Sequence, residues 1–110
     1  MRHVVRFHPA ARDETSEIAG FLAKEASPAV ALSWLASLEH EIDGLATMPK
    51  RHPRAREADL FPGIDLRQVL VGPYRVIFKV GSRTVDVLHI RHAARLGLDP
   101  SAGDPPDSSP

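Results

Sequence analysis

No cysteine occurs in the 110 residues. That excludes a disulfide scaffold, a cysteine-bound zinc and thiol catalysis, and it fits a reducing compartment. No apolar run approaches the roughly 20 residues that span a bilayer. The start of the chain, Met1-Arg2-His3-Val4-Val5-Arg6, lacks the apolar core of a signal peptide. The expected compartment is the cytoplasm, with no membrane partner. The chain has no Gly-rich phosphate loop, no HExxH and no GxSxG. Net charge is also absent, since 14 Lys and Arg balance 14 Asp and Glu. What remains is 43% hydrophobic and 25% charged residues, an ordinary mixture for one globular domain with a modest core.

The neutral total hides an uneven distribution. Residues 1–47 carry a net charge of −3, residues 48–98 carry +6, and residues 99–110 carry −3. A basic module of this kind points to nucleic acid or an acidic protein partner, or to arginines on solvated strand faces. The segment 98–110, rich in Pro, Ser and Asp with no apolar anchor beyond Ala102, is expected to be a disordered acidic tail after a domain over 1–97.

Periodicity gives the elements. His3–Phe7 reads as a strand with Val5 and Phe7 on one face. Pro9 fits the first position of a helix, followed by Asp13, Glu14 and Glu17 near its positive N-terminal end. Gly20 inside that helix costs about 1 kcal/mol against Ala; close approach of a second helix is one reason for it. Ser27-Pro28 is a strong second helix start, and Ala31, Leu35, Leu38, Ile42 and Leu45 form one apolar stripe reaching toward Thr47. Trp34, beside the stripe, reads as a core aromatic. Residues 49–63 hold Pro49, Pro53, Pro62 and Gly63, so they form a loop, and Lys50, Arg51, His52, Arg54 and Arg56 make it basic. The loop is either a solvated turn or a patch for phosphate or an acidic partner.

The period then changes to two. Residues 64–71, 74–80 and 84–91 read as strands joined by turns at Gly72-Pro73 and Gly81-Ser82, an antiparallel meander. The predicted fold is α+β, a two-layer sandwich with a helical hairpin packed on an antiparallel sheet in the order β-α-α-β-β-β. The other sheet face should be partly open and hold the charged alternates. Arg67, Arg75, Arg91, His92 and Arg95 are the remaining chemical groups: arginines stabilise phosphoryl charge or bind an acidic protein, and His or Glu moves protons in RNA cleavage. His89 and His92 fall on opposite faces of one strand, so no metal site is expected, and no cofactor.

The run Leu66-Arg67-Gln68-Val69-Leu70-Val71-Gly72-Pro73-Tyr74-Arg75-Val76-Ile77-Phe78, followed by Val87-Leu88-His89-Ile90-Arg91-His92-Ala93-Ala94-Arg95, resembles the RelE/ParE toxin superfamily. So do Phe7-His8-Pro9-Ala10-Ala11, Ser27-Pro28, and Pro49-Lys-Arg-His-Pro53 with Glu57. The resemblance covers about residues 3–95 and implies the toxin of a type II toxin–antitoxin module, held by a cognate antitoxin. Two activities are known in that superfamily: ribosome-dependent, metal-independent mRNA cleavage in RelE-like members, and inhibition of DNA gyrase in ParE-like ones.

The resemblance maps Glu57, Arg75 and Arg91 onto positions that carry Glu, Arg and Arg in YoeB-type mRNases. The terminal His-Tyr pair of that type falls on Ala93-Ala94, with His92 one residue away. A RelE-type arginine before the central turn falls on Leu70, and Tyr74 is the only Tyr. The candidate catalytic set is therefore Glu57, Arg75, Arg91 and His92 if the protein is an RNase acting on the ribosome and mRNA. The candidate binding set is Arg67, Arg75, Arg91 and Arg95. The sparse catalytic set and long helical hairpin favour the ParE-like branch, with gyrase as target. A non-toxic antitoxin-binding module is the third reading.

Overall fold

The computed structural model describes residues 2–94. The elements are β1 (Val4–Phe7), α1 (Pro9–Glu25), α2 (Pro28–Gly44), β2 (Asp65–Val71), β3 (Tyr74–Val80) and β4 (Thr84–His92). Short 3-10 turns lie at Pro49–Arg51 and Ala58–Leu60. The predicted order and the two layers are therefore the observed ones. The expected tail, the boundary near residue 97 and Arg95 lie outside the described residues.

Local signals set the helix boundaries. Pro9 opens α1, with His8 extended before it. The Ser27 hydroxyl accepts a hydrogen bond from the Val30 N–H at 3.1 Å, and Pro28 follows at the first helical position. The second helix ends at Gly44, earlier than the stripe implied. Leu45 continues past it into a turn, where it is wholly buried. Gly20 faces open space, with no atom within 4 Å of where a Cβ would stand. It therefore serves no close helix approach.

The sheet runs β1-β4-β3-β2. Strands β2, β3 and β4 form the expected antiparallel meander. Gly72, with φ +59°, makes the first turn in a conformation that favours glycine. β1 adds beside β4 in parallel, so the sheet is mixed. The reason is topological: the helical hairpin carries the chain from one edge of the sheet to the other, where the meander begins.

One face packs on the helices. Val71, Tyr74, Val76, Phe78, Val80, Val85, Val87 and Ile90 meet Ala11, Trp34 and Leu38. Trp34 donates from its indole N–H to the Val71 carbonyl at 3.1 Å and meets Tyr74 edge-on at 5.4 Å. It is a core residue, as read from the sequence.

The other face is not open. Residues 48–61 leave α2, turn around the outer edge of β2 and return beneath the sheet. We call this segment the strap. Ala55 N–H donates to the Leu66 carbonyl (2.9 Å) and Gln68 N–H to the Pro53 carbonyl (3.1 Å), pairing the strap with the β2 edge. Ala55 and Ala58, with Phe61 alongside, then bury Leu66 and Ile77 in a second small core that also takes Leu88. The register slips between Ile77 and Phe78, leaving Leu88 as the extra residue of a bulge.

Since Gly20 is exposed, helical and unencumbered, Gly20→Ala should stabilise the protein by about 0.5–1 kcal/mol through helix propensity. Urea denaturation checks this; a loss of stability would mean that the glycine has a packing role.

Candidate functional site

Register sorts the predicted site residues by face. Arg67 pairs with Phe78 and so lies on the helix-facing side of β2. Arg75 pairs with Leu70 on one side and Arg91 on the other, and all three lie on the opposite face. His92 pairs with Tyr74 and returns to the helix side, its ring 5.3 Å from the Tyr74 ring. The structure thus brings Glu57, Arg75 and Arg91 to one region and leaves Arg67 and His92 on the other side of the sheet. The arginines do not form one exposed cluster.

Glu57 reaches this region on the strap. Its two carboxylate oxygens accept from Arg75 Nη1 at 2.9 Å and Nη2 at 2.6 Å, a bidentate pair. Arg75 Nη1 also donates to Gln68 Oε1 at 2.6 Å. Glu57 and Arg75 are each only 2% exposed. A proton-transfer base must come within hydrogen-bond reach of its substrate. Here both oxygens of the carboxylate are turned inward and held by a cation, so the pair is built to fasten the strap.

Arg91 has its own carboxylate. Its Nε donates to Glu14 Oε2 at 3.0 Å, and the Ile90 N–H donates to Glu14 Oε1 at 3.0 Å. His89 Nδ1 lies 3.2 Å from the same oxygen. β1 ends at Phe7, level with Val87, so the β4 edge beyond that point has no strand beside it. Glu14 fills the gap from α1, accepting the backbone N–H that another strand would have paired. Its role is therefore at the sheet edge rather than at the helix dipole. Burial pushes the Glu14 carboxyl up, but hydrogen bonds from His89 and Ile90 N–H, with the charges of His89 and Arg91, outweigh that and hold it below the usual value.

Arg67 is a clamp. Its Nε donates to Asp65 at 2.9 Å, and its Nη1 donates to the carbonyls of Lys50 (3.1 Å) and His52 (2.7 Å) on the strap. Arg56 extends the fastening, donating to the Ala93 carbonyl at 2.7 Å. At the far end of the sheet Arg6 grips Asp86 at 2.6 and 3.0 Å. That hydrogen bond chiefly holds the buried Asp86 carboxyl below its usual value, against its burial.

Glu14 and Gln68 were not among the predicted site residues. Gln68 was legible by parity, because residues 66, 68 and 70 share the face of Arg75 in a two-residue hairpin. Glu14 carried no such signal, since its role depends on where β1 stops. Lys50, Arg51 and Arg54 are exposed on the outside of the strap, Arg54 with Asp59 at 3.3 Å and Lys50 with Asp65 at 4.0 Å. Among the described residues no three His, Cys, Asp or Glu stand close enough to hold a metal, and no helix is long and apolar enough to cross a membrane.

Residues 5–97 match a family model described as the ParE toxin of the type II toxin–antitoxin system parDE. No curated protein matches the sequence. Among solved structures, the chain resembles one from a chromosomal ParDE system of P. aeruginosa, with a TM-score of 0.67 and 15% identity over 83% of this chain and 96% of that one. A chain of the RelBE2 toxin–antitoxin complex of Mycobacterium tuberculosis gives 0.53 and 23% over 84% and 99%. A chain of the archaeal RelE–RelB complex of Pyrococcus horikoshii gives 0.56 and 17% over 87% and 100%. At these identities the structural likeness speaks to the fold.

Removing one partner of a buried ion pair strands the other charge, so Arg75→Met should cost about 3–5 kcal/mol. Guanidinium denaturation measures it; a change below about 1 kcal/mol would mean that the pair does not hold the strap.

Proposed function

The chain belongs to the ParE toxin family of type II toxin–antitoxin systems, and we propose from that premise that it arrests growth by binding DNA gyrase. In this reading it acts in the cytoplasm and is neutralised by a cognate antitoxin. The contact with gyrase is between proteins and makes or breaks no covalent bond.

The observation that carries this reading is the state of the residues an RNase would use. Glu57 and Arg75 are locked together and buried. Arg91 is 4% exposed and bonded to Glu14. His92 lies across the sheet, where its Nδ1 accepts the Ala94 N–H at 3.1 Å. These four residues do not converge on one solvent-facing point. Such convergence is what general acid–base cleavage of RNA requires.

The burial of Arg75 and Arg91, and the engagement of Arg67 with Asp65 and the strap carbonyls, move the proposed antitoxin contact away from these three arginines. The strap presents Lys50, Arg51 and Arg54 outward instead, with side chains 60% or more exposed at Lys50 and Arg54. Beside it, a groove between α2 and the end of β2 is lined by Ser33, Ala36, Ser37, His40 and Glu41 on the helix and by Leu70, Val71 and Gly72 on the strand side. Leu70 is 57% exposed there. An apolar antitoxin segment flanked by acidic side chains suits that pairing of groove and basic strap.

The test is induction in bacteria without the antitoxin, with DNA and protein synthesis pulse-labelled in parallel. DNA synthesis should stop first. Protein synthesis stopping first would replace the gyrase reading with ribosome-dependent mRNA cleavage, and no arrest at all would leave an antitoxin-binding module.

A further inference from the structure

Beyond that reading, the strap contains a group that the proposed function does not use. His52 sits at the bend where the strap rounds the β2 edge. Its ring points inward and meets the wholly buried Phe78 edge-on at 5.9 Å. Its backbone carbonyl is one of the two that Arg67 clamps. Its Nε2 is buried and has no hydrogen-bond partner. In its Nδ1–H form the neutral ring suits this position, because one bare nitrogen lone pair is a small loss beside good ring packing. A proton on Nε2 would create a cationic N–H with no acceptor in a buried site, which is much more costly.

The charges around the ring act mostly in the same direction. Arg51 on the strap and Arg67 on β2 oppose a second positive charge, while Glu41 on α2 favours one. With burial as the largest cause, the imidazole is held below its ordinary value of 6.5.

We propose that His52 is the bolt of an acid-released strap: when its ring gains a proton, the His52 end of the strap, residues 50–55, lifts from the β2 edge and uncovers the Leu66 carbonyl and the Gln68 N–H. An imidazole with a lower value in the closed state than in the open one favours closure above the open-state value. That advantage is lost as pH falls toward the closed-state value. The fastenings farther along the strap are Glu57 to Arg75 and Arg56 to the Ala93 carbonyl, beyond the bend at His52. Opening therefore begins at the His52 end, next to the two strap hydrogen bonds on β2.

Amide hydrogen exchange of the full chain, from about pH 7.5 to about pH 5, spans the range in which an ordinary imidazole charges. The amides of Ala55 and Gln68 report the strap, and those of β3 report the whole fold. After correction for intrinsic exchange, strap protection should fall by up to about tenfold per pH unit between the open and closed values, and at every pH it should lie below that of β3, because the strap opens without the rest of the fold. His52→Phe, which keeps a ring against Phe78 and cannot charge, should abolish the fall. An NMR titration of the His52 ring in the unaltered protein gives a second reading that does not depend on the variant, and it should show a value below 6.5. Strap amides as well protected as those of β3, persistence of the fall in His52→Phe, or a ring titrating at or above its ordinary value would each overturn the proposal.

Discussion

A four-stranded sheet with helices on only one side has a second face to account for, and here the Glu57–Arg75 ion pair determines what happens to it. Arg75 is placed on that face by hairpin register, in the middle of the sheet, where an unpaired guanidinium would be costly. Glu57 supplies the missing charge, and it reaches the site only because the strap crosses beneath the sheet. Ala55, Ala58 and Phe61 travel with it and cover Ile77 and Leu66. The pair thus decides where a Pro-rich, basic loop of little intrinsic structure comes to rest. Bidentate geometry and the added Gln68 bond are what allow two charges to be buried at a tolerable cost.

The same logic recurs at the other edge. β1 is only four residues long, and β4 continues well beyond it. Glu14 from α1 accepts the Ile90 N–H at this unpaired edge and takes Arg91 with it. A charge at this position also discourages another strand from adding there. Two arginines that the family resemblance places among catalytic positions are therefore each held by a carboxylate from a different element. With those groups occupied, the proposed protein contacts rest on the outside of the strap and the groove by Leu70. Such a surface suits recognition of proteins better than chemistry on a phosphate.

Much of this was legible in the sequence, for local reasons. Ser27-Pro28 fixes a helix start by capping and by proline geometry, and both operate within one turn. The meander follows from period-two alternation and short turns. Even the separation of Arg67 from Arg75 was within reach: a two-residue turn at Gly72-Pro73 pairs Val71 with Tyr74, so the two arginines fall at positions of opposite parity. The strap was not legible, because its cover of the second face rests on small alanines and on one carboxylate meeting a partner 18 residues away. The bulge at Leu88 and the reach of Glu14 were hidden for the same reason. The first is a slip inside the β3–β4 pairing and the second depends on where β1 ends, which only the assembled sheet decides.

If Glu57 and Arg75 act as a structural fastening, their charges are dispensable once their volume is replaced. Exchanging a buried ion pair for apolar residues of similar size is often neutral or stabilising. The double variant Glu57→Leu, Arg75→Met, induced without antitoxin and compared with the parent chain for growth arrest and folded yield, tests this directly. The account predicts a folded protein that arrests growth as the parent does. A double variant that folds and no longer arrests growth would contradict it, and would return these two residues to the reacting centre of an enzyme.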